Sequence, residues 1–191
     1  MAVPARHVLL TAGHPFQNRA IGAAVYFDRN PIGHLTVAGF GPWSVGNPGT
    51  THGNWAVVNL NDRGVRMITN QLRNGQRIQG LFNSPVNSVV SGIGSGGAGL
   101  SINQWFGTVR YVNRTVPFII SPIVTFNVSG LTTVYTPIDA AGVPVRGDSG
   151  VPIWRTVGNT NFLTGTLVGG DSVQRHWHFS PVGHSARHFA L

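Results

Sequence analysis

The sequence predicts an all-β fold in two lobes, and three observations carry the prediction. Its 191 residues include 26 glycines and 12 prolines, which punctuate the chain at short intervals as turns do. The apolar runs between them are brief and rich in Val, Ile, Thr and Phe, the residues that suit a pleated, half-buried surface. No run approaches the roughly 18 uninterrupted apolar residues that a membrane-spanning helix requires, so no membrane partner is expected.

Taken in order, alternation and turn signals mark strands at 6–12, 22–28, 35–39, 55–60 and 77–82, then at 88–93, 107–113, 119–128, 133–138, 151–155, 162–169 and 176–181. Helix is the minority element. The boundary falls at NSPVNS, which gives lobes 1–82 and 83–191. The run SGIGSGGAG, 91–99, is expected to be a hairpin turn, because no helix pattern and no Gly-Lys-Ser/Thr ending follow it as in a phosphate loop. NDRG, 61–64, also reads as a turn. The absence of an internal sequence repeat excludes a propeller or solenoid.

Formal net charge is +8, all 13 cations are arginines, and the five acids are aspartates, Asp28, Asp62, Asp139, Asp148 and Asp171. The arginines are dispersed rather than clustered or interleaved with aromatics, so nucleic acid is not the expected partner. Without cysteine there are no disulfides or thiolate metal sites. Four histidines crowd the C-terminal end, His176, His178, His184 and His188. His-x-His on a strand places both rings on one face, but no acid or thiol accompanies them, so they are expected to be packing or surface residues, with no metal.

Two motifs carry chemistry. In VRGDSGVPIW, 145–154, Ser149 stands between glycines that permit a tight turn, exposing a hydroxyl and converging N–H donors. Near the start, HVLLTAGHP is a strand-like apolar run ending at His14, where a neutral imidazole is placed to accept a proton. Each motif alone is weak; Gly-Asp-Ser-Gly is also good turn chemistry. Jointly, TAGH followed by GDSG resembles the chymotrypsin-like (trypsin-like) serine proteases. TGTLVGGDS, 164–172, is similar to the family's strand along the substrate cleft, and GTVRYVN, 107–113, to an early strand of its second barrel.

The resemblance implies two six-stranded antiparallel β-barrels with the active site between them, His14 as base, Ser149 as nucleophile, and the Gly147 and Ser149 N–H groups as oxyanion hole. Asp148 corresponds to a buried aspartate that takes a cationic partner, with Arg146, Arg110 and Arg114 as candidates. The pocket floor falls at Val143 and the cleft wall at Val168, Gly169 and Gly170, which implies an uncharged apolar or aromatic P1 residue. A peptide or protein substrate, no cofactor and a secreted location follow from the same resemblance; the apolar run in MAVPARHVLL is too short for a secretory signal.

Two departures qualify this. The family's acid precedes a short apolar strand, and the matching stretch GNWAVVNL places Asn54 there. Asp62 and Asp28 are the weaker substitutes. Only 13 residues precede His14, where the family carries two more strands, so the first barrel is expected to be incomplete, its edge closed by another segment or a second copy of the chain. The sequence thus leaves a serine endopeptidase impaired at Asn54, a catalytically deficient homologue acting as a binding or assembly module, and an unrelated polyanion-binding β-protein.

Overall fold

A computed structural model of the chain describes residues 7–39, 50–95, 102–121, 124–140, 142–171 and 173–186, the side chains at 50, 51, 120, 121 and 124 excepted. Two sheets carry it, consistent with the chymotrypsin-like two-barrel fold. The first sheet holds β1 (Val8–Thr11), β2 (Ala24–Phe27), β3 (Asn30–Ala38) and β5 (Ala56–Leu60) in the order β1-β5-β3-β2. Every pairing in it is antiparallel. Its strands bury Val25, Ile32, Leu35, Ala56 and Val58 against one another. Asp28 and Arg29, with φ of 45° and 62°, form the β2–β3 turn with the left-handed pair that matches the twist of a hairpin.

The second sheet is built from β7 (Val89–Gly94), β8 (Asn103–Ser121), β9 (Val124–Tyr135), β10 (Pro152–Val157), β11 (Thr160–Asp171) and β12 (His176–Pro181). Each of these six strands pairs with two others of the set, so the hydrogen bonding runs round in a ring. Val90, Trp105, Val109, Val134, Ile153, Leu167, Trp177 and Phe179 fill its interior. Trp105 and Trp177 meet edge to face, centroids 6.4 Å apart at 85°, the geometry that aromatic quadrupoles favour. Two short strands from earlier in the chain join this sheet in parallel, β4 (Thr50–His52) along β9 and β6 (Ile78–Leu81) along β11.

Four elements differ from the sequence reading. Strand β3 begins at Asn30 rather than 35; Pro31 and Gly33 disguise it, yet Gly33 is where β5 comes so close that a Cβ would strike the Asn59 carbonyl. The strands read at 107–113 and 119–128 are not separate in that form: β8 runs unbroken through Pro117 and β9 begins at Val124. Pro117 pairs with Asn127 in regular register, and beyond Thr108 the strand is paired with β9 and no longer with β7, an open edge of the kind where proline is tolerated. NDRG is not a free turn but the start of helix α1 (Asp62–Met67), whose N-cap Asn61 accepts the Gly64 N–H at 2.8 Å. Of the glycine-rich run, residues 91–94 belong to β7, and residues 96–99 lie outside the described residues. A last short helix, α2 (Val182–Ala186), follows β12 directly.

Gly64 shows which force decides α1. Alanine has the better helix propensity by up to about 1 kcal/mol, but a Cβ at Gly64 would run into the Ile32 carbonyl, which is backbone and cannot rotate away. Gly64→Ala is therefore expected to destabilise the fold, with overpacking worth about 1–3 kcal/mol outweighing the propensity. Urea denaturation would read this as a lowered midpoint at unchanged slope; a raised midpoint would contradict it.

Candidate active site

The end of β1 and the start of β5 meet at one buried amide. Asn54 is 1% exposed, and its Oδ1 accepts the backbone N–H groups of Gly13 and His14, both at 2.8 Å. This settles which way the amide points. Reversing it would set the NH2 group against two N–H donors, so Oδ1 stays on the backbone and Nδ2 faces the imidazole, 3.1 Å from His14 Nδ1. Oδ1, already holding two donors, lies slightly farther from Nδ1 at 3.3 Å. An NH2 donor aimed at Nδ1 favours a bare Nδ1, and so places the proton of the neutral ring on Nε2. Burial, the largest cause, holds the His14 imidazole below its ordinary pKa of 6.5. His14 opens a single 3-10 turn, His14–Phe16, with Pro15 at its start.

The second lobe supports Asn54 from behind. Its backbone N–H donates to Ser180 Oγ on β12 at 3.3 Å, and the preceding Gly53 N–H donates to the Ser129 carbonyl on β9 at 2.8 Å.

Ser149 lies in the turn between β9 and β10. Gly147 and Gly150 have φ of 101° and 87°, which only glycine adopts without strain. Gly150 has no room for a Cβ because Thr11 Oγ1 and the Ala12 nitrogen at the end of β1 press against it, and this contact brings the GDSG turn to the TAGH segment. The Ser149 hydroxyl donates to the Val168 carbonyl on β11 at 3.3 Å. The Gly150 N–H donates to the Leu167 carbonyl and Val151 closes the turn onto Asp148. Among the described residues, the N–H groups of Gly147 and Ser149 have no acceptor.

Asp148 is fully buried and takes a different partner from the cation expected. Its carboxylate accepts the N–H of Ser95 at 3.1 Å and of Val145 at 3.0 Å, and the end of β7 makes way for it: a Cβ on Gly94 would strike the carboxylate. Arg110 lies instead over the Tyr135 ring and Arg114 over Tyr111, and Arg146 is exposed. Backbone donors take the place of a positive charge, as they do for any buried carboxylate held in a tight turn.

The four residues assigned to the substrate pocket separate. Val143 and Gly170 share a recess with Pro144, Asp171, Arg175, His176 and Trp177, but its volume is only about 10 Å³, roughly the minimum that holds one water. Trp177 backs it, packed on Gly170, with Nε1 donating to Thr136 Oγ1 at 2.8 Å, which in turn donates to the Phe106 carbonyl at 2.9 Å. Val168 turns its side chain into a core with Phe126, Val128 and Leu131, and Gly169 lies beneath the Phe118 ring. Asp28 sits in the β2–β3 turn and Asp62 on the exposed first turn of α1, so of the three candidates it is Asn54 that faces His14 Nδ1.

The histidines divide among separate contacts. His178 pairs with the Thr133 hydroxyl at 3.0 Å and packs against Phe118, while His176 lies against Tyr135. His184 stacks at 4.6 Å on His52, a residue with no sequence signal of its own, whose ring meets Ser129 Oγ at 3.1 Å. His188 lies outside the described residues. Among the described residues, no three metal-ligating side chains converge.

No family model and no curated protein matches the chain in sequence. Solved structures do match. Chymotrypsin from Cellulomonas bogoriensis is 25% identical, with 95% of this chain and 82% of that one covered at a TM-score of 0.62. Protease A of Thermobifida fusca is 22% identical, covering 98% and 84% at 0.63. A glutamic acid-specific serine protease described as using a histidine triad in substrate binding is 17% identical, covering 98% and 87% at 0.63. The chain therefore has the chymotrypsin-like fold, and its structural neighbours are serine proteases.

His178 gives this region a pH dependence. Burial lowers its pKa to about 4, with the charges of His176 and Arg114 acting in the same direction. The unfolded chain takes up that proton near pH 6.5 and the folded chain near 4, so stability is full above about pH 6.5 and falls as pH drops towards 4, by roughly 3 kcal/mol in all. Denaturation midpoints across this window should fall steeply in the native chain and more gently in His178→Gln; equal slopes would contradict the assignment.

Proposed function

We propose that the chain is a serine endopeptidase working through an acyl-enzyme, slowed by the amide at position 54. The observation that carries the reading is the meeting of three segments distant in sequence: the GDSG turn against the end of β1, with His14 held by Asn54. Ser149 Oγ attacks the carbonyl carbon of the scissile bond and its proton passes to His14 Nε2. The N–H groups of Gly147 and Ser149 face the developing oxyanion. His14 then protonates the leaving amine, the peptide C–N bond breaks, and the acyl group remains on Ser149. Water, deprotonated by the same imidazole, attacks the acyl carbon and frees the carboxylic acid and the serine.

Asn54 opposes the first step. With Nδ2–H aimed at Nδ1, the resting proton sits on Nε2, where the ring must be bare to accept from Ser149. In the trypsin-type triad the corresponding Asp-to-Asn change lowers turnover about 10⁴-fold with geometry intact, equivalent to roughly 5 kcal/mol of barrier. The same pinned amide favours the second reading, a homologue that keeps the fold as a binding or assembly module.

A fluorophosphonate probe separates them. Slow labelling of Ser149, seen by mass spectrometry, should accelerate by about 10³–10⁴ in Asn54→Asp and vanish in Ser149→Ala. Absence of labelling in both the native chain and folded Asn54→Asp would leave the binding-module reading.

The P1 residue is uncharged and apolar in this reading, and small. A recess of about 10 Å³ backed by Trp177 has space for a methyl group rather than a ring. In Asn54→Asp, peptide esters with Ala or Gly at P1 should exceed those with Phe by at least about tenfold in kcat/KM. A preference for Phe would show that the recess is not where the P1 side chain goes.

A further inference from the structure

A second, larger cavity of about 380 Å³ opens among β8, β9, β11, β12, α2 and the segment 83–85, and shares no lining residue with the recess at Val143 and Gly170. Its size falls in the range of small-molecule sites, about 300–1,000 Å³. We propose that it binds a neutral, monosaccharide-sized molecule carrying hydroxyl or acetamide groups.

The lining chemistry selects that class. None of its lining residues is Asp, Glu, Lys or Arg, so a charged ligand would be desolvated with no counter-charge to meet it. The net charge of +8 adds a general repulsion of cations. Hydrogen bonding is abundant instead: the hydroxyls of Ser84, Thr132 and Thr164 and the amides of Asn83 and Asn113 all border the space. Thr164 donates to Ser84 at 2.8 Å. Thr132, 2% exposed as a residue, also lines the space, and its hydroxyl can donate to or accept from a ligand that reaches it. Val112, Phe179, Pro85 and Pro181 add apolar surface, so the lining offers contact for the C–H groups of a ring as well as for its hydroxyls or amide.

The cavity also lies close to the segment that carries Asn54. His184 on its wall packs against Gly53, where a Cβ would stand 3.1 Å from the ring, and lining residue Pro181 follows Ser180, which holds the Asn54 N–H. Its occupancy nevertheless needs no catalysis to detect.

The test is a ¹H–¹⁵N titration of the full chain with N-acetylglucosamine, and in parallel with glucosamine, the cationic counterpart of the same ring. Saturable shifts at Ser84, Thr132 and Thr164, half-complete at about 10 mM or below, are expected for the first, with binding at least tenfold weaker for the second. Thr132→Val should weaken binding about three- to tenfold through one lost hydrogen bond. Gly183→Phe should abolish it while distant resonances stay in place, since a Cβ there finds its nearest neighbour, the Asn83 amide, at 3.5 Å and leaves space for a larger side chain. Absence of saturable shifts, equal binding of glucosamine, or binding unaltered in both variants would overturn the proposal.

Discussion

The site depends on one buried amide. Asn54 Oδ1 gathers the Gly13 and His14 N–H groups, its Nδ2 faces His14, and its own N–H reaches Ser180 of the other sheet. These bonds tie the end of β1 to the start of β5 and both to β12. A buried backbone donor without an acceptor costs about as much as a lost hydrogen bond, so the oxygen is needed at this point whatever the side chain does for catalysis. Asparagine supplies it as well as aspartate, without the desolvation of a buried charge.

Structure and catalysis consequently make different demands on position 54. The backbone asks for one acceptor oxygen and receives it. In the proposed mechanism the imidazole asks for a second acceptor and a negative charge, to keep a proton on Nδ1 and to stabilise the ring once it has taken another from Ser149. The amide presents a donor where that acceptor belongs. The histidine can therefore stand in the same place with either side chain and differ only in where its proton sits. The neighbouring turn shows a comparable substitution: the Asp148 carboxylate is satisfied by the Ser95 and Val145 N–H groups, so the loop carrying Ser149 is held by backbone donors where a cation was expected.

Much of this was legible in the sequence because it is local. Strands such as β1, β5 and β12 carry alternation or short β-branched runs bounded by turn residues, and the His14, Asn54 and Ser149 positions stand in short motifs. What escaped depends on distant partners. Strand β3 begins across a proline and a glycine because β5 approaches too closely there for a side chain; β8 passes through Pro117 where it is paired with β9 and no longer with β7; α1 hides in NDRG because an Asn cap looks like turn chemistry. The recess that looked open from Val143, Gly169 and Gly170 is only about 10 Å³ and has Trp177 in its lining, which no motif marks as part of a pocket. His52 joins the surroundings of Asn54 only through β4, a three-residue strand paired to a segment more than 70 residues away.

The central claim is that Asn54 places the proton of the neutral His14 ring on Nε2. It is tested most directly by ¹⁵N NMR of the His14 ring at a pH where the imidazole is neutral, in the native chain and in Asn54→Asp. The account predicts the proton on Nε2 with a bare Nδ1 in the native chain, and the reverse once a carboxylate stands at position 54. A proton on Nδ1 in the native chain would contradict it, because Asn54 would then be accepting from the ring as an acid does, and no tautomeric barrier would lie between His14 and Ser149.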